Sequence, residues 1–110
     1  MKNFTKQTLF ILLLFISFTA YTQQGPKLSS LATAPATIFL DFDGQTVTSA
    51  SWNGGTKFTC GASGMSDAQI TEMFDRVAED YRPFNVNVTT DSTIFLAAPL
   101  NRRIRIIVWI

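Results

Sequence analysis

Ser66-Asp67-Ala68-Gln69-Ile70-Thr71-Glu72-Met73-Phe74-Asp75-Arg76-Val77-Ala78-Glu79-Asp80-Tyr81-Arg82-Pro83-Phe84-Asn85-Val86-Asn87-Val88-Thr89 changes its hydrophobic period once, and that change decides the fold class. The opening Ser-x-x-Gln has the form of a capping box, in which the serine hydroxyl and the glutamine side chain satisfy free backbone N–H groups at a helix start. Ile70, Phe74, Val77, Ala78 and Tyr81 then recur at helical spacing, with Glu72, Asp75, Arg76, Glu79 and Asp80 mostly on the other face. Pro83 ends the helix because it offers no N–H and pushes its predecessor out of the α region. Beyond it the period is two: Phe84, Val86 and Val88 alternate with Asn85, Asn87 and Thr89, which predicts a half-buried strand.

Working outward, Thr37-Ile38-Phe39-Leu40-Asp41-Phe42 is a short apolar, β-favouring run and predicts a largely buried strand. Between it and the helix lie Gly54, Gly55, Gly61 and Gly64 with scattered apolar residues, a loop with room for a short strand over residues 57–60; Trp52 is expected to fold this loop back onto the core. On the other side, Asp91 or Ser92 can cap a short helix through Ala98, stopped by Pro99. Arg103-Ile104-Arg105-Ile106-Ile107-Val108-Trp109-Ile110 reads as a last strand, alternating and then apolar on both faces. The order is β-α-β-α-β, which predicts an α/β sandwich with a mixed, mostly parallel sheet. An apolar run of this kind needs covering layers. The expectation is therefore an incomplete domain that folds poorly or self-associates alone.

The N-terminus is set apart from this fold. Lys2 and Lys6 precede an apolar run at residues 9–16, extended by Phe18, as in a secretory signal peptide. Residues 9–20 would rise about 18 Å as a helix, well short of a hydrocarbon core of roughly 30 Å, so a stable membrane anchor is disfavoured against export. Ala20-Tyr21-Thr22 fits the small-residue cleavage rule, with a cut after Ala20 also open and an uncleaved anchor as the alternative. The predicted organisation is a signal peptide at 1–22, a flexible leader rich in Gly, Pro, Ser, Thr and Ala at 23–35, and an α/β portion at 36–110. Order is expected to begin near Ala36, and the location is secreted or periplasmic.

The chain has 110 residues, no histidine and one cysteine, Cys60. Those counts exclude His/Cys zinc sites, Ser-His-Asp and Cys-His triads, and a disulfide within the chain. Cys60 reads as an unpaired small residue, with a partner cysteine outside the sequence as the alternative. A formal charge of +1 gives no basis for nucleic-acid binding. Removing 22 of 110 residues leaves 88, and the mature balance of seven basic against eight acidic residues is −1.

Three features could carry chemistry. Asp41-x-Asp43-Gly44 places two carboxylates at the end of a strand, an arrangement suited to Mg²⁺-assisted phosphoryl transfer with Asp41 as nucleophile and Asp43 as acid/base. Residues 38–47 accordingly resemble the first motif of haloacid-dehalogenase-like phosphatases, although the usual Thr after the Gly is shifted to Thr46. The alternative, favoured here, is a tight turn at Asp43-Gly44 between two extended segments, residues 37–42 and 45–48. Arg102-Arg103-x-Arg105 reads as one solvated face plus edge protection rather than an anion site. Asn87-Val88-Thr89 matches a glycosylation sequon inside a strand and is given no role. The third feature is the run from Glu79 to Asp91 at the helix-to-strand junction, where carboxylates should face solvent, Tyr81 and Phe84 should pack and Arg82 should pair locally.

Phe39-Leu40-Asp41-Phe42-Asp43-Gly44, Trp52-Asn53, Ile70-Thr71-Glu72 and the run from Glu79 to Asp91 together resemble the start of the catalytic domain in secreted bacterial zinc metallopeptidases of the metzincin-like kind. The resemblance covers residues 36–108. It implies an N-terminal subdomain whose sheet edge walls a substrate cleft, a protein or peptide substrate, and a later H-E-x-x-H helix in which two His hold Zn²⁺ and the Glu deprotonates water. None of those zinc-site residues is in this sequence, so no catalytic, cofactor or metal residue is assigned, and the chain is expected to be inactive alone. The pattern also commonly has His where this chain has Gln45. A non-enzymatic secreted binding module is the remaining alternative. Export should remove the N-terminal segment within two residues of Thr22: mass spectrometry of the exported protein is expected to find it gone, and intact Met1 in a membrane pellet would contradict the assignment.

Overall fold

A computed structural model of the protein describes residues 23 and 25–109. The signal peptide predicted at 1–22 lies outside these residues. The chain is mixed α/β. Strands β1 (Ala36–Asp41), β4 (Val86–Thr89) and β5 (Arg103–Ile107) form a parallel sheet in the order β4-β1-β5, while β2 (Gln45–Val47) and β3 (Phe58–Cys60) form a separate antiparallel pair. Helix α1 (Asp67–Asp80) connects β3 to β4, and α2 (Ser92–Ala97) connects β4 to β5.

Helix α1 starts as its sequence dictates. Ser66 Oγ accepts the Gln69 N–H at 3.2 Å and Gln69 Oε1 accepts the Ser66 N–H at 2.9 Å, so both halves of the capping box form. Ile70 and Phe74 are buried, with Val77 and Ala78 half-buried beside them, against Ile38, Leu40, Phe42 and Val88. Burying each such large side chain is worth about 1.5–3 kcal/mol. Tyr81, at the end of the same stripe, lies past the sheet and remains exposed.

The opposite face of the sheet is organised around Phe39, whose ring stacks on Phe95 of α2 with centroids 4.9 Å apart. Asp91 caps α2 by accepting the Thr93 N–H at 3.0 Å. At the other end of the helix, Arg103 Nη1 donates to the carbonyls of Phe95, Leu96 and Ala98 at 2.9–3.0 Å. Those are the groups a helix end leaves unpaired, and a cation there also complements the helix dipole.

Three expectations are corrected. Residues 26–31 precede the expected start of order at Ala36, yet they run antiparallel along β4 as a strap. Thr90 N–H donates to the Leu28 carbonyl, Ser30 N–H donates to the Val88 carbonyl, and Ser29 bridges Thr89. Strand β4 is therefore not half-buried: Asn87 and Thr89 are as inaccessible as Val88. Their polarity misled the period-two reading, because each is satisfied from the strap. Asn87 Oδ1 accepts the Leu31 N–H at 3.0 Å, and the Thr89 hydroxyl donates to the Leu28 carbonyl at 2.9 Å while accepting from Ser29 Oγ at 2.9 Å. The sequon asparagine is thus internal. Finally, Trp52 does not fold back onto the core; it is 65% exposed beside a tight turn at Asn53–Gly55.

Replacing Asn87 by Ala leaves the Leu31 N–H without its acceptor, a loss of about 1–3 kcal/mol. Urea denaturation is expected to show a lower midpoint for Asn87→Ala with an unchanged slope, and an unchanged midpoint would show that the strap contributes nothing.

Candidate functional site

The two acidic residues of the sequence motif sit at the carboxyl end of β1, the central strand, but they do different things. Asp41 is 4% exposed. Its Oδ1 accepts the Asp43 N–H at 3.0 Å, the local side-chain turn that Asp favours when the chain bends two residues later. Its Oδ2 lies 3.4 Å from Arg105 Nε on the neighbouring strand. The angle there does not make a hydrogen bond, and Arg105 Nε is buried without one, so the pair is held by charge.

Gly44 completes the turn at φ +89°. A Cβ at that position would come within 2.7–2.9 Å of the backbone at Cys60, Gly61 and Ala62, so the loop after β3 closes over the turn only because residue 44 has no side chain. Ser63 N–H donates to the Phe42 carbonyl at 2.9 Å and fixes that closure. The turn reading of Asp43-Gly44 is realised in altered form. The extended segments on its two sides do not pair with each other, because β2 turns away to pair with β3 in a separate sheet, with Gln45 opposite Cys60. Cys60 is a buried free thiol in this second sheet.

Arg103 and Arg105 do not form a solvated face. Parallel register places Thr37 beside Arg103, Phe39 beside Arg105 and Asp41 beside Ile107, so both arginines point into the layer under α2. The Arg105 guanidinium lies 5.5 Å from the Phe39 ring centroid and 4.9 Å from that of Phe95; Arg103 lies 4.6 Å over Phe95. A planar, weakly hydrated guanidinium tolerates this position where an ammonium would not. The alternating isoleucines take the α1 face instead, beside Ile38 and Leu40, but at the edge of that layer: Ile104 is 57% and Ile106 39% exposed.

Beside this end of the sheet is a cleft of about 610 Å³ lined by Gln45, Thr46, Thr48, Ser49, Trp52, Phe58, Arg105 and Ile107. Gln45, Trp52 and Arg105 come from three separate sequence features, and the fold brings them to one cavity. The junction from Glu79 to Asp91 is elsewhere. Glu79 and Asp80 are exposed; Tyr81 and Phe84 do not pack into the core as expected but stay exposed, touching each other with centroids 6.2 Å apart; and Thr90 is buried under the strap. Arg82 does not join either ion pair among the described residues, Arg76 with Glu72 and Arg105 with Asp41. Its expected local pairing is therefore absent from that set.

No group of three or more His, Cys, Asp or Glu side chains positioned to hold a metal ion exists among the described residues, and no described helix is long and apolar enough to cross a membrane. Comparison with protein families, with curated proteins and with solved structures finds no match to this chain. A nucleophilic Asp41 would need an open carboxylate facing substrate, whereas this one is enclosed and engaged through both oxygens. Asp41→Asn keeps the turn acceptor and removes the charge opposite Arg105. With that arginine about one quarter exposed, the expected cost is about 2 kcal/mol, reduced from that of a fully buried pair. The same substitution in an Arg105→Met background should cost much less; equal losses in both backgrounds, by denaturant midpoint, would show that the pair is not coupled.

Proposed function

We propose that this chain is the N-terminal, non-catalytic part of a secreted bacterial zinc metallopeptidase-like domain, supplying the sheet edge that walls the cleft for a protein or peptide substrate. The observation that supports this reading is β5. It pairs with β1 and with no other described strand, and it leaves Ile104 and Ile106 exposed at the margin of the α1 layer, as a wall awaiting a complementary layer would. The resemblance over residues 36–108 supports the family reading, and the short apolar N-terminus after Lys2 and Lys6 supports an exported location.

Zinc does not fit the residues present. Tight zinc sites draw on three or four N, S or O ligands, and this sequence offers no imidazole and a single, buried thiol. No hydrolytic step is therefore assigned to these residues. The phosphoryl-transfer alternative loses its nucleophile to the Asp41 to Arg105 pair. A non-enzymatic binding role shares the β5 observation and is separated by the gene: the DNA following codon 110, read in all three frames, is expected to encode an H-E-x-x-H. An unrelated sequence there would favour the binding module. Equilibrium dialysis of the mature chain is expected to show no stoichiometric zinc retention and peptide substrates are expected to remain intact, whereas sub-micromolar zinc binding would overturn the assignment.

A further inference from the structure

We infer that the cleft at the carboxyl end of β1 and β5 is a binding site for a small monocarboxylate with an apolar body, gripped by Arg105. The 610 Å³ cleft lies between Arg105 and Ile107 of β5 and the β2–β3 pair with the loop that carries Trp52.

The chemistry of the ligand follows from what lines the crevice. The stem of Arg105 is fixed by Asp41 and its guanidinium plane by the rings of Phe39 and Phe95, so little ordering remains to be done on binding. Its terminal amines make no hydrogen bond to any described residue, and the side chain, 27% exposed, reaches the cleft. A guanidinium held by its Nε side presents a two-pronged edge that matches a planar carboxylate. A dianion such as phosphate is disfavoured, because Asp41 already supplies one negative charge to the same guanidinium and a second charge on the ligand would be repelled. Trp52, Phe58 and Ile107 line the same cleft as an apolar wall, and Thr46 and Thr48 supply hydroxyls. An exposed Trp is poorly explained by packing and well explained by contact with an apolar body. This site does not depend on the peptidase reading.

The test uses the isotopically labelled 110-residue chain, titrated with phenylacetate, its neutral isostere phenylacetamide, and inorganic phosphate, with amide NMR shifts as readout. Phenylacetate is expected to shift residues 45–49 and 105–107 saturably, phenylacetamide to bind about tenfold more weakly for loss of one charge-assisted contact, and phosphate not to compete. Arg105→Lys, which keeps the charge and loses the fork, should weaken phenylacetate by about tenfold. Trp52→Ala, at an exposed position with no role in the core, should weaken it without lowering the thermal transition. Shifts that do not saturate or fall elsewhere, equal binding of acid and amide, displacement by phosphate, or an unchanged affinity in Trp52→Ala would each overturn the proposal.

Discussion

A carboxylate at the end of the one described strand with neighbours on both sides has to be neutralised where it stands. Asp41 occupies that place, beside Ile107 of β5 and almost without solvent contact. Leaving such a charge alone would cost more than a domain of this size can sustain. The register of β5 supplies the answer, because parallel pairing of Phe39 with Arg105 brings a guanidinium within reach of Asp41 on the next strand. Much else follows from that placement. The arginines must face α2, Ile104 and Ile106 must take the other face, and the chain leaving Asp41 must bend at once, since Asp41 Oδ1 takes the Asp43 N–H.

The β-α-β-α-β order was legible because each element announces itself locally. The capping box at Ser66, the proline at 83 and the Asp91 cap each act within a few residues of where they stand. What escaped the sequence was decided by partners far along the chain. Asn87 and Thr89 look like a solvent-facing row because period-two reasoning equates polarity with water, whereas here the water is replaced by Leu28, Ser29 and Leu31. The strap itself carries no periodicity, since it is held by backbone and hydroxyl groups that any composition rich in Ser can offer. Arg103 and Arg105 were misread for the same reason: nothing near them indicates that one would cap a helix and the other would stack between phenylalanines. Of the candidate site, the bend at Asp43-Gly44 could be read, while the meeting of Gln45, Trp52 and Arg105 at one cleft could not.

The placement of β5 has a cost and a use. A strand with its arginines in the α2 layer and its isoleucines at the margin of the α1 layer gives up apolar burial, and it sets hydrophobic side chains beside backbone groups that no other described strand pairs. In exchange, the inward arginines satisfy two demands that hydrophobic residues could not meet, the open carbonyls of α2 and the charge of Asp41. The polar side of β4 works on the same principle at the other edge. There Asn87, Thr89 and Thr90 convert a sheet edge into a latch for the strap.

That latch imposes an order of events on the chain. Every hydrogen bond between strap and β4 closes a loop of more than fifty residues, and α1 must already have brought β4 into place for the partners to meet. Loops of that length form late and slowly compared with a capped helix. The N-terminal edge is therefore among the last parts to set, although it is the first part of the folded portion to be synthesised.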